Sequence, residues 1–439
     1  MTTPATRHQL TTNDHSVAVT IQQHATPETE AGNVPMKIRE PWSGWRLLYL
    51  PSLLDHLLGH DQARRLIHGI KVAIAIVLVS LLYMVDVIHD RLGDNLMWAI
   101  MTVVVMFELT SGGTLRKGVN RGFGTLCGGL LGMLVALWAH DIGGWGRTVL
   151  VSFLLFIICT AASYFRMIPN IKKGYDYGVM IFILTFSLVA VSGVRGDQII
   201  KQANDRLSAI LIGMAISVTT NMLIFPVWAG DELQASLESN FKSLASSIQG
   251  TVDDYFKPVD EKLEGQPLDT SKGCKSVIHS KASNESMALF AKWEPMNRRF
   301  GHCYPWDDYL VIANLLRNLA ISILSLRDCR RYKNQGDSTD EIKKQCESMS
   351  DSIGSMLTKL GAHFHNRTKS VAADDVDNLE SHKQKLFKLI CHLDIDSGNE
   401  DDIEGAQIAQ FLLVLINIID RMEELVIKVE ELGKAAAFS

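Results

Sequence analysis

Arginine is costly inside a bilayer, yet this chain sets Arg121 and Arg206 at the ends of two long apolar segments. A guanidinium presents a planar fork of donors that fits a carboxylate in a bidentate way. The chemistry such a pair can do is recognition of an anion, with no bond made or broken. Two readings stand side by side. The arginines snorkel to lipid head groups, or they form a row of guanidiniums along an anion path, with Lys117 as a vestibule charge. The acids near the membrane boundary are Glu108 and Asp176. A carboxylate facing lipid is costly, so each is expected to meet a base such as Lys117 or Lys173, as a structural pair or as a gate. Arg166 belongs to the same basic set.

Nothing else in the chain has the spacing that reaction chemistry needs. His302 beside Cys303, and His363 with His365, have no further ligands at metal-binding distance along the sequence. Nucleophile elbows and paired catalytic acids are absent, so neither an enzyme nor a cofactor is expected. Seven cysteines form no CxxC pair and read as free thiols. A net charge of −5 gives no sign of nucleic-acid binding. Gly118 and Gly122 are four apart, as are Gly124, Gly128 and Gly132, a spacing that lets two helix backbones approach. A phosphate cradle would require a preceding strand and a GK[ST] end, which these glycines lack.

The elements that position these groups are apolar helices long enough for a bilayer. Six spans are read at residues 66–88, 95–110, 122–138, 147–165, 177–194 and 207–225, the last stopped by Pro226. Some lie near the lower length limit, which tilt or local thinning accommodates. Residues 1–40 read as a disordered cytosolic tail and not as a signal peptide, since no basic start precedes an apolar core. Residues 41–65 form an amphipathic approach to the membrane surface. Arg64 and Arg65, the loop with Arg116, Lys117 and Arg121, and the loop with Arg166, Lys172 and Lys173 lie on one side. By the positive-inside rule that side is the cytosol, which also holds both termini.

Beyond the membrane segment of 66–226, residues 227–439 read as a cytosolic helical domain. Apolar positions recur three and four apart in 233–256, 309–326, 342–360, 383–393 and 403–432. The last has the broadest apolar face. That face and the glycine face of the third span each offer more packing surface than one neighbour needs, so one of them is expected in a two-fold interface. The fold class is all-α: a polytopic membrane protein of six transmembrane helices followed by a helical bundle.

Several long strings together resemble one family. They are ARRLIHGIKVAIAIVLVSLLY (63–83), WAIMTVVVMFELTSGGTLRKGVNRGFGTL (98–126), YDYGVMIFILTFSLVAVSG (175–193), FPVWAGDEL (225–233), WEP (293–295) with YPW (304–306), and VEELGKAAAF (429–438). The chain resembles the plant aluminium-activated malate transporters over about residues 41–438. The resemblance implies a homodimeric anion channel in membrane lipid, passing malate and, in various members, chloride, nitrate or sulfate. It implies that arginines at positions matching Arg121 and Arg206 line the pore. Family members that respond to aluminium do so through outer-face acids. Here Asp90 and Asp197 are the candidates for an outer cation contact, with Lys201 opposing one. The expected function is a passive anion channel, in the plasma membrane in preference to the vacuolar one. The rivals are an organic-anion carrier working by alternating access and a membrane-anchored scaffold that carries no current.

Overall fold

The computed structural model describes residues 60–86, 97–140, 142, 144–193, 199–256, 270–295, 304–329, 337–366, 373–392 and 400–436. The expected amino-terminal tail, most of the pre-membrane approach, Asp90, Asp197, His302 and Cys303 lie outside these residues.

Where apolar residues run on without interruption the chain is helical, and prolines and polar clusters set the joints. The first helices are α1 (His60–Tyr83), α2 (Met97–Met106), α3 (Ser111–His140), α4 (Gly144–Met167), α5 (Pro169–Ser192) and α6 (Ile199–Leu223). The rest are α7 (Ala229–Tyr255), α8 (Thr270–His279), α9 (Lys281–Ala291), α10 (Trp306–Asp328), α11 (Asp337–Asn366), α12 (Ala373–His392) and α13 (Glu400–Ala435). No strand occurs among the described residues. Among the described residues, six helices are long and apolar enough to cross a membrane. The molecule is an all-α integral membrane protein.

Those six are not the six segments read from sequence. Five are α1, α3, α4, α5 and α6. The remaining one by composition is α10, yet Tyr309, Leu316, Leu319 and Ile323 bury it in the core of the carboxyl-terminal bundle. The expected second span is α2, only ten residues long. At 1.5 Å per residue it reaches about 15 Å, half the thickness of a hydrocarbon core of about 30 Å.

Helix-free backbone at 107–110 follows α2, and backbone groups at membrane depth must find partners inside the protein. Asn221 of α6 supplies them. Its Nδ2 donates to the carbonyls of Glu108 (3.0 Å) and Thr110 (3.2 Å) and to Thr114 Oγ1 (2.7 Å). Its Oδ1 accepts from Lys71 Nζ at 3.2 Å, which satisfies a lysine of α1 that is only 1 % exposed. The backbone amide of Ser111 donates to Val227 O at 2.9 Å, tying the start of α3 to the start of the bundle.

Two basic stretches read as loops are helical. Arg116, Lys117 and Arg121 stand on α3, whose first turns extend it beyond the apolar run. Arg166 is in the last turn of α4, and Lys172 and Lys173 are in the opening turns of α5, with only Ile168 between the helices. Pro169 explains so short a joint. It suits the first helical position and pushes Ile168 into the extended conformation, with ψ of 126°.

The largest interface among α1–α6 is α3 against α5, and the glycines make it. A Cβ at Gly128 would lie 2.6 Å from Phe182 O, and one at Gly124 would collide with Gly178 O. Gly124, Gly128 and Gly132 of the glycine face are therefore covered by α5 of the same chain. Gly122, by contrast, has nothing within 4 Å. Gly128→Ala is expected to destabilise the solubilised protein by about 1–3 kcal/mol of overpacking, read as a lower melting temperature. Gly122→Ala should leave it unchanged.

The bundle core is built by α7, α10, α11 and α13, with Phe411, Leu415, Ile419 and Met422 of α13 fully buried. The broad apolar face of α13 is thus also consumed within the chain. The apolar periodicity located α7 and α10–α13 to within a few residues, except that α12 starts ten residues earlier than expected, at Ala373. It did not locate α8 and α9, two short helices meeting at Ser280. Phe225 turns the chain out of α6 with φ of +44°, a left-handed conformation that costs a non-glycine residue about 1–2 kcal/mol.

Candidate anion site

Arg121 is on α3 and Arg206 on α6, near what sequence places at opposite ends of their spans. Packing of α2, α3, α5 and α6 brings them to one cavity of about 240 Å³. Its walls are largely leucine, isoleucine and valine, with Thr125, Thr185 and Asn204 as polar exceptions. A mostly apolar wall with a few convergent polar groups is the usual make-up of a small-ligand site.

Arg121 is 5 % exposed. One terminal nitrogen donates to Tyr177 Oη at 3.0 Å, and Nε has no protein partner. The Arg206 guanidinium lies 5.5 Å from the centre of the Trp98 ring, within cation–π range, and its Nε is likewise buried without a partner. Thr125, one helical turn past Arg121, is 6 % exposed, and its hydroxyl has no partner either. A buried donor left unmade costs about 1–3 kcal/mol, more if charged. The three residues that carry these atoms line one cavity, with the unpartnered atoms themselves just beneath its surface.

Lys117 does not line this cavity. It pairs with Glu108 at the turn before α3, and its ammonium sits 5.8 Å from the Tyr177 ring centre. Tyr177 thus stands between the Lys117–Glu108 pair and Arg121. Asp176 pairs with Arg166 and not with Lys173. The fork is bidentate, Nε to Oδ1 at 2.6 Å and Nη2 to Oδ2 at 3.1 Å, and it clips the end of α4 to the start of α5. Lys173 contributes its carbonyl, which accepts from Arg116 at 2.8 Å. Arg116 also donates to Gly174 O at 2.6 Å and lies over the Phe290 ring of α9 at 5.7 Å, so it joins the membrane helices to the bundle.

A second junction lies close by. Glu294, 4 % exposed, accepts from the amides of Ala229 (2.5 Å) and Gly230 (3.3 Å) at the start of α7. A Cβ on Gly112, in the first turn of α3, would lie 2.8 Å from Glu294 Cγ. One carboxyl therefore serves the amino-terminal ends of a membrane helix and a bundle helix, where the partial positive charge of the helices favours it. Burial pushes this carboxyl up to about 7, against the downward pull of the Ala229, Gly230 and Gly112 amides, with Asp231 adding to the rise.

The sequence singles out the two arginines, Lys117, Glu108, Asp176 and Arg166. It does not single out Thr125, Tyr177, Trp98, Asn221, Lys71 or Glu294, which the structure adds as contributors. Only Lys71 carried a signal of its own, a cation six residues into an apolar span. The others are ordinary residue types whose importance comes from which helix packs beside them.

Residues 56–404 match the family model described as aluminium activated malate transporter. Aluminum-activated malate transporter 14 of Arabidopsis thaliana is 34 % identical over 363 residues, covering 78 % of this chain and 67 % of that protein. Aluminum-activated malate transporter 12 of the same plant is 35 % identical over 341 residues, 75 % of this chain and 61 % of its own length. Aluminum-activated malate transporter 1 of Triticum aestivum is 33 % identical over 398 residues, 87 % of this chain and 84 % of its own length. The chain spans less than two thirds of the second of these relatives. With the family model matched over most of its length and relatives at about a third identity, the chain belongs to the aluminium-activated malate transporter family.

Proposed function

We propose that this protein is a passive anion channel that conducts malate, and with it inorganic anions such as chloride, nitrate or sulfate, across a plant membrane. Arg121 and Arg206 are the pore cations, and the carboxyl-terminal bundle is the cytosolic regulatory part of a homodimer. Both termini are cytosolic, and the plasma membrane is the favoured location. The observation that carries the reading is the shared cavity, in which two guanidiniums from different helices each keep a buried Nε without a protein partner. The relatives named as malate transporters support the choice of anion.

In this mechanism the guanidiniums replace water around the carboxylates while moderate affinity lets the ion leave. A negative interior drives efflux. Each charge gains about 2.3 kcal/mol per 100 mV on leaving, and a dianion about twice that. No chemical step is coupled to transport. The Lys117–Glu108 pair keeps a neutral rim beside the path and leaves Arg121 as the charged group there.

Net malate efflux from proteoliposomes under an imposed potassium diffusion potential tests this. A channel releases malate with no exchangeable anion outside. A requirement for external anion, with saturating counterflow, would establish the alternating-access carrier instead.

A further inference from the structure

We propose that Thr125 is the third ligand of the anion site and the group that favours carboxylates over halide there. The inference deepens the channel reading and rests on it.

Hydroxyls in membrane helices ordinarily bond the carbonyl one turn back, which satisfies the proton locally. Several hydroxyls on the helices that wall this cavity follow that habit. Thr102 donates to Trp98 O at 2.6 Å, Ser187 to Ile183 O at 2.9 Å and Ser217 to Gly213 O at 2.8 Å. Thr125 and Thr185, both in the cavity wall, do not. Thr125 Oγ1 is buried and makes no bond, although Arg121 O lies one turn behind it on the same helix. It sits in the cavity wall with Arg121 on the same face of α3 and Arg206 across from it on α6.

A hydroxyl and a guanidinium recognise different things. The guanidiniums supply charge and would hold any small anion. The hydroxyl adds a directional donor that suits an oxygen lone pair, and a carboxylate offers several such lone pairs. Chloride takes the charge of the guanidiniums as readily but draws less from one oriented hydroxyl. Thr125 therefore separates oxyanions from halide where the arginines alone would not. Its hydroxyl can also accept, which suits an anion that carries a hydroxyl of its own beside its carboxylates.

The test uses full-length protein and compares the parent, Thr125→Val and Thr125→Ser. Valine keeps the shape and removes the hydroxyl, and serine keeps the hydroxyl. The readout is the malate-to-chloride permeability ratio from reversal potentials in one membrane, with melting temperature measured alongside. Thr125→Val is expected to lower the ratio about tenfold, the worth of one hydrogen bond to a charged group. Chloride current should persist, and melting should be unchanged or higher because a buried unmade donor has gone. Thr125→Ser should keep the ratio near that of the parent. A ratio unchanged in Thr125→Val while the parent conducts malate overturns the role of Thr125 and leaves the channel reading standing. A serine variant shifted as far as valine overturns it too. A parent that passes no anion current overturns the channel reading and this inference with it.

Discussion

Arg121→Ala or Arg206→Ala is expected to lower malate current about ten- to hundredfold, the equivalent of losing one charge-assisted hydrogen bond of about 1.5–3 kcal/mol. The size follows from burial. Arg121 is 5 % exposed, so its charge is poorly screened by water. Arg121→Lys separates charge from geometry. An ammonium keeps the positive potential but lacks the planar fork. Chloride current should recover further than malate current, because chloride needs charge alone. Surface abundance and melting temperature of each variant should stay near those of the parent, since among the described residues neither arginine forms an ion pair whose loss would strand a buried acid. Currents equal to the parent's in both alanine variants would return the arginines to head-group snorkelling.

The second large effect is expected at Glu294. Glu294→Ala leaves the Ala229 and Gly230 amides without their acceptor at a buried helix start, at about 1–3 kcal/mol for each. It should loosen the bundle from the membrane helices, seen as faster hydrogen exchange around the starts of α3 and α7. Stability should also depend on pH through this group. Its seated pKa of about 7 lies above the ordinary value of 4.5. A carboxyl so raised stabilises the seated state fully below about 4.5, and that contribution is lost as pH rises toward about 7. The charged groups on neighbouring elements do not cancel this. Arg64 is paired with Glu232, Lys292 with Asp307, and Arg116 is engaged by the Lys173 and Gly174 carbonyls. Asp231 adds to the rise, and Arg298 and Arg299 lie outside the described residues. Melting curves taken between pH 5 and 8 should show greater stability on the acid side. Glu294→Gln should remove that slope. An unchanged slope in Glu294→Gln would assign the pH dependence to another group.

Most of the fold was legible because apolar length and apolar period are properties of single segments. α1, α4, α5 and α6 follow from unbroken runs of Leu, Ile, Val and Phe, and α13 from one wide stripe. α10 is apolar enough for a membrane, but its place after Pro226 puts it in the bundle, where the structure also has it. The count of six membrane-length helices therefore agrees with expectation while one member differs. Reading failed where a helix owes its place to a neighbour. α2 was too short to be a full span, and the turn after it depends on Asn221, which is 111 residues further along the chain than Thr110. The basic stretches around Arg116 and Lys172 look like loops by charge alone, but first turns of long helices tolerate Arg and Lys. At the site, the arginines stood out as rare charges in apolar surroundings. Thr125, Tyr177 and Glu294 did not, because a threonine, a tyrosine or a glutamate becomes informative only when its hydrogen-bond partners are known.

The most direct measurement is a planar-bilayer recording of the purified protein with malate as the only permeant anion. Discrete unitary currents are expected, reversing at the malate equilibrium potential and shrinking in Arg121→Ala. Steady counterflow without unitary steps, or steps of the same size in Arg121→Ala, would contradict an anion path running between Arg121 and Arg206.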